Sequence, residues 1–130
     1  MHQDSSAFNP RLLTALLYLN DVPAACGGET WFPYAGDDGT ASGRALPATV
    51  EDAIASALRE HSPQAAARPG LSVAPKRGDA IIFFNYQLDG RLDPAAVHAG
   101  LPVIRADGAS DIDKWIANYW VEKDDEILFE

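Results

Sequence analysis

Cysteine is almost absent from this chain. Cys26 is the only one, so no disulfide can form within it, which fits a reducing compartment. Long apolar runs are absent too. The longest covers residues 12–19 and is interrupted by Thr14, far short of the roughly 18–20 residues a membrane-spanning helix needs. No basic, then apolar, then small-residue succession marks a secretory leader, so the expected location is the cytoplasm. Positive charge is scarce: 10 Lys and Arg stand against 19 Asp and Glu, a net charge of −9. Without a basic stripe, nucleic acid is not an expected partner, because its affinity rests largely on neutralising phosphates. Nor is a membrane. The acidity serves solubility and would also suit a basic peptide. Internal repeats are lacking.

What remains is enough for one domain. The chain has 130 residues, 47% of them apolar, and can fill a core of its own. Of its three histidines, His61 follows an amphipathic stretch and reads as a surface residue. The other two are more informative. His2 and Asp4 form an H-x-D pair, and His98 stands far downstream in Val97-His98-Ala99-Gly100. Two histidines and a carboxylate can make the facial triad that holds non-haem Fe(II) and leaves positions open. H-x-D alone is a common tripeptide, so its weight depends on the rest of the chain.

Most of the chain reads as β. Residues 11–21 are rich in leucine and alanine, which favour helix. The run is short, however, and bounded by turn signals. Thr14, Leu16 and Tyr18 alternate with Leu13, Ala15 and Leu17, as in a strand buried on both faces. Residues 29–34 are β-branched and aromatic and end at proline. Further strands are expected at 71–75, 80–84, 97–104 and 114–121, with a tight turn at 76–79 and polar loops at 85–94 and 106–111. In the last strand Lys114, Ile116, Asn118 and Trp120 share one face. Residues 35–70 differ. Loop chemistry and small residues flank a helix in which Thr49 is a plausible N-cap with Asp52 three residues on. Val50, Ile54 and Leu58, with Ala57, share its apolar face. This reads as an insertion on a β scaffold. Residues 127–129 suggest a short docking element.

Six sequence blocks, taken together and in order, resemble the C-terminal catalytic part of prolyl 4-hydroxylase-like Fe(II)/2-oxoglutarate dioxygenases. They are His2-x-Asp4; Arg11-x-x-Thr14-x-x-x-Tyr18-Leu19-Asn20-Asp21; Gly27-Gly28-Glu29-Thr30-x-Phe32-Pro33; Pro75-Lys76-Arg77-Gly78-Asp79-Ala80-x-x-Phe83; His98-Ala99-Gly100-x-Pro102-Val103; and Lys114-Trp115 with Trp120. They cover most of the chain outside the insertion at about 35–70.

The resemblance implies a mainly β fold, a double-stranded β-helix (jelly roll) lacking its first strands, with one inserted helix. Residues 1–130 would be one catalytic domain, N-terminally truncated, with open sheet edges through which it could self-associate. His2, Asp4 and His98 would hold Fe(II). The cosubstrate 2-oxoglutarate would bind beside O2, with ascorbate as a candidate reductant. The distal carboxylate of the cosubstrate needs a cation, and Lys114 stands at the family's place, with Tyr18 and Thr30 supplying hydroxyls and Trp120 close by. Lys114 lies further past His98 than is usual, and the excess matches the loop 106–111; Arg105 is the other cation to weigh. The expected activity is hydroxylation of a substrate C–H, with a prolyl residue of a peptide or protein as the candidate target. The rival reading is a non-catalytic β-helix domain that binds a metal, a ligand or a protein, or an inactive truncated remnant.

Overall fold

A computed structural model describes residues 1–36, 45–60, 68–104 and 112–123. His61, Arg105, the loop 106–111 and the segment 127–129 lie outside them. The described residues form six strands and one α-helix, together with two single-turn 3-10 segments. The strands are β1 (Arg11–Tyr18), β2 (Thr30–Phe32), β3 (Leu71–Val73), β4 (Ala80–Phe84), β5 (Ala99–Gly100) and β6 (Ile116–Glu122), and the helix is α1 (Val50–Glu60). Two antiparallel three-stranded sheets result, ordered β4-β1-β6 and β3-β2-β5. The mainly β class with one helix therefore stands.

β1 is a strand despite its helix-prone leucines. It is the central strand of its sheet and pairs along its length with β4 on one side and β6 on the other. Ladder bonds on both edges and burial of one face outweigh local propensity. Only that one face is buried: Thr14, Leu16 and Tyr18 point inward, whereas Leu13 and Ala15 are half-covered and Leu17 is exposed. The expectation of burial on both faces is corrected accordingly. The all-apolar β4 behaves alike, with Ile81 and Phe83 inward and Ile82 and Phe84 outward in water.

The inner faces meet each other. Phe32 of β2 and Phe83 of β4 pack edge to face at 5.2 Å between ring centroids, joining the two sheets. The opposite side of β2 carries α1. Trp31, Tyr34, Val97 and Leu101 form a second core with Val50, Ala53 and Ala57 of the helix. The buried helix stripe thus runs through Val50, Ala53 and Ala57, with Ile54 half-buried, and Leu58 is 57% exposed. The expected Val50–Ile54–Leu58 face is rotated because bulky Trp31 and Tyr34 leave room for alanines. Thr49 caps the helix as anticipated: its Oγ1 accepts from Asp52 N–H at 3.1 Å and donates to Asp52 Oδ2 at 2.9 Å.

The strand expected over 97–104 is reduced to β5, flanked by single bridges at His98 and Val103. β6 begins at Ile116, so Lys114 and Trp115 precede it. Among the described residues, no helix is long and apolar enough to cross a membrane.

Candidate metal centre and anion pocket

The H-x-D segment is held by main-chain bonds to the distal histidine. His2 N–H donates to His98 O at 2.9 Å, and His98 N–H donates to His2 O at 3.0 Å. In extended backbone, alternate residues face the same way, so the pairing that sets His2 against His98 also delivers Asp4. One ligand atom from each of His2, Asp4 and His98 lies within 4.8 Å of the others. Asp4 Oδ1 is 3.2 Å from His2 Nε2 and 3.8 Å from His98 Nε2. His2 is exposed, Asp4 half-buried and His98 buried.

The environment sets each ionisation state. Burial would raise the Asp4 carboxyl, but the hydrogen bond from His2, the charge of His98 and the Thr14 hydroxyl outweigh it, and its pKa falls to about 2. Burial is also the main influence on His98 and pushes it below the usual histidine value. Phe32 and Phe83 supply that burial, with ring centroids 5.2 and 5.0 Å from the imidazole. His98 Nδ1 lies 2.9 Å from Ala96 O. A carbonyl only accepts, so Nδ1 carries the proton and the Nε2 lone pair faces the cluster.

This donor set fits a divalent transition metal. It offers a carboxylate held as an anion, a neutral imidazole with its outer nitrogen fixed by a carbonyl, and an exposed side beyond His2. Asp4 presents Oδ1 to the histidines, while Oδ2 accepts from Thr14 Oγ1 at 2.9 Å and from Trp120 Nε1 at 3.4 Å.

Tyr18, Thr30 and Lys114 gather as a second group. Tyr18 Oη donates to Thr30 Oγ1 at 2.7 Å, and Lys114 Nζ donates to the same oxygen at 3.3 Å. Lys114 Nζ also lies 5.6 Å from the centre of the Tyr18 ring. Burial raises the Tyr18 hydroxyl and lowers the Lys114 ammonium, the latter offset in part by the charge of Glu29. Among the described residues, no carboxylate forms an ion pair with Lys114. A half-buried cation whose hydrogen-bond partner among the described residues is a hydroxyl suits an anion. The backbone beside it is tailored to the space. Gly28 has φ +79°, and a Cβ there would meet Val103 at 3.1 Å, Val22 at 3.4 Å and Lys114 Cδ at 3.9 Å.

Trp120 is not in the Lys114 group. It stands at Asp4, with the Arg11 guanidinium 3.7 Å from its ring centre. Arg11 in turn donates to the Asp4 main-chain carbonyl at 3.1 Å. One residue of the site escapes the sequence reading. Asn85 follows β4 at the start of the expected loop, yet it is wholly buried and donates to Thr14 Oγ1 at 3.1 Å. The available signal was its phase, since it continues the inward alternation of Ile81 and Phe83.

Residues 1–122 match the 2OG-Fe(II) oxygenase superfamily, and the chain belongs to that superfamily. It is similar to prolyl 4-hydroxylase 2 of Arabidopsis thaliana, 38% identical over 120 residues, which cover 91% of this chain and 33% of that protein. Probable prolyl 4-hydroxylase 4 from the same plant is 37% identical over 114 residues, covering 88% of this chain and 31% of its own length. Prolyl 4-hydroxylase 1 is 33% identical over 114 residues, covering 87% and 30%. The chain thus spans about a third of the length of these relatives.

Proposed function

We propose that the chain carries the catalytic centre of an Fe(II)- and 2-oxoglutarate-dependent dioxygenase, on a double-stranded β-helix formed by the two facing sheets. The observation that carries this reading is the pairing of a His–Asp–His cluster with a half-buried lysine that, among the described residues, has no carboxylate in an ion pair with it. Thr14, at Asp4, and Tyr18, at Lys114, share the inner face of β1 and stand about 13 Å apart at roughly 3.3 Å per residue. A short dicarboxylate can address both ends of such a path.

His2 Nε2, Asp4 Oδ1 and His98 Nε2 would hold the iron, and with three protein ligands there is room for a cosubstrate and O2. When bound, Fe(II), 2-oxoglutarate and O2 supply an oxidative decarboxylation coupled to insertion of oxygen into a C–H bond. The chain's own work is placement. Lys114 neutralises the distal carboxylate, and Tyr18 and Thr30 fix its orientation through their hydroxyls. Phe32 and Phe83 keep water from the inner side of His98, so its imidazole stays neutral and ready to ligate. These are contributions of orientation and charge matching.

The substrate is a peptide or protein, with a prolyl residue as the hydroxylated side chain. This rests on the relatives, whose names state that chemistry, and on the net charge of −9, which favours basic peptides. Ascorbate is the reductant to supply in assays. Full-length protein incubated with Fe(II), 2-oxoglutarate and a panel of proline-containing peptides should form succinate and add one oxygen atom to a peptide, in equal amounts. Succinate without peptide oxidation would point to another substrate. Neither product, with any peptide, would favour a non-catalytic binding domain.

A further inference from the structure

Asp4 is the only carboxylate of the cluster, and its two oxygens are treated differently. Oδ1 faces the two histidines. Oδ2 faces the sheet, where Thr14 Oγ1 lies at 2.9 Å and the longer donor Trp120 Nε1 at 3.4 Å. Thr14 is wholly buried at the centre of β1, in register between Phe83 of β4 and Trp120 of β6. Behind it stands Asn85, also wholly buried, whose Nδ2 donates to Thr14 Oγ1 at 3.1 Å. Asn85 is fixed by its own backbone: its N–H donates to Leu12 O at 2.9 Å, and its carbonyl accepts from Asp93 N–H at 2.9 Å and from Gln3 Nε2 at 2.9 Å.

A hydroxyl has one hydrogen and two lone pairs. Asn85 Nδ2 occupies a lone pair of Thr14, so the single hydrogen of Thr14 is left to point at Asp4. A carboxylate can only accept, and the chain Asn85 → Thr14 → Asp4 is therefore directional. The Asn85 side-chain oxygen has no partner among the described residues, so the amide is oriented by its donor and not by its acceptor.

We propose that Thr14 and Asn85 are positioning residues that hold Asp4 Oδ2 away from the metal and so make Asp4 a one-oxygen ligand. Building on the metal-site reading above, this adds the device that sets how many positions the metal keeps free. A carboxylate released from Thr14 can turn both oxygens toward a cation and occupy a position that the cosubstrate needs.

The test is calorimetric titration of metal-free, full-length protein with Mn(II), followed by titration of the Mn(II)-loaded protein with 2-oxoglutarate. Thr14→Val keeps the shape and strand propensity but removes the hydroxyl. It should weaken cosubstrate binding to the loaded protein by about tenfold, the lower end of what loss of a ligand-orienting partner typically costs. Thr14→Ser should restore it to within about threefold, and Asn85→Ala, which leaves the hydroxyl present but undirected, should fall between. Thermal unfolding of the metal-free forms separates these effects from stability. Equal cosubstrate binding by wild type and Thr14→Val would overturn the proposal. So would equal impairment of the serine and valine forms, which would assign the effect to packing of the threonine methyl. If Thr14→Val does not fold, Asn85→Ala decides, and wild-type affinity in that variant overturns the relay. Failure of wild type to bind Mn(II) would instead remove the metal-site reading itself, and the relay with it.

Discussion

Lys114 shows how one side chain connects sequence, energetics and function. Folding half-buries its ammonium and lowers its pKa, so the charged form is less stable in the folded chain than in water. Thr30 gives it one hydroxyl and Glu29 a more remote charge, which is incomplete compensation. On the proposed function, the distal carboxylate of 2-oxoglutarate would complete it. Lys114→Met should therefore leave the metal-free protein at least as resistant to thermal unfolding as wild type. The same change should weaken 2-oxoglutarate by about 2 kcal/mol, some thirtyfold, as expected when one partner of a desolvated charge pair is removed. Scanning calorimetry and titration of the metal-loaded protein measure the two effects separately. Unchanged cosubstrate affinity in Lys114→Met, with a loss in Arg105→Ala, would transfer the role to Arg105.

At the level of elements, the local patterns that survived are those reinforced by pairing. β1 was legible through alternation, because a strand with two hydrogen-bonded neighbours has little freedom to follow its leucines into a helix. The cap of α1 was legible because Thr49 and Asp52 interact within one turn. Which stripe of α1 turns inward was not, since Trp31 and Tyr34 come from another part of the chain and their bulk selects Ala53 and Ala57 over Leu58. The convergence of His2, Asp4 and His98 could be anticipated because ligand chemistry restricts the residue types. Its support could not. Asn85 is a polar residue just past an apolar strand, and only its backbone bond to Leu12 shows that the inward alternation continues through it.

The described residues of the molecule stack in three layers. α1 covers the second sheet, and the two sheets meet through β1, β4 and β2, yet β6 is exposed on both faces and, among the described residues, the outer face of β4-β1-β6 is uncovered. Ile82 is 65% exposed, Phe84 59% and Tyr119 66%, and all lie on that face in the register that places Ile82 and Tyr119 opposite Ala15. Contiguous apolar surface of this kind promotes association. Among the described residues, β6 pairs only with β1, so its other edge is unpaired. The chain should self-associate in a concentration-dependent way. Ile82→Lys combined with Tyr119→Lys should shift it toward monomer in sedimentation velocity, without lowering metal affinity. An unchanged sedimentation profile would show that this face does not drive association.

The central claim is that His2, Asp4 and His98 hold iron in reach of a dicarboxylate bound at Lys114. The most direct test is an anaerobic titration of the protein with Fe(II) and then 2-oxoglutarate, followed in the visible spectrum. The account predicts a weak charge-transfer band that requires both additions, is absent in His98→Ala, and needs some thirtyfold more 2-oxoglutarate in Lys114→Met. A folded wild-type protein that gives no band at saturating Fe(II) and 2-oxoglutarate, or a band of full strength in His98→Ala, would contradict it.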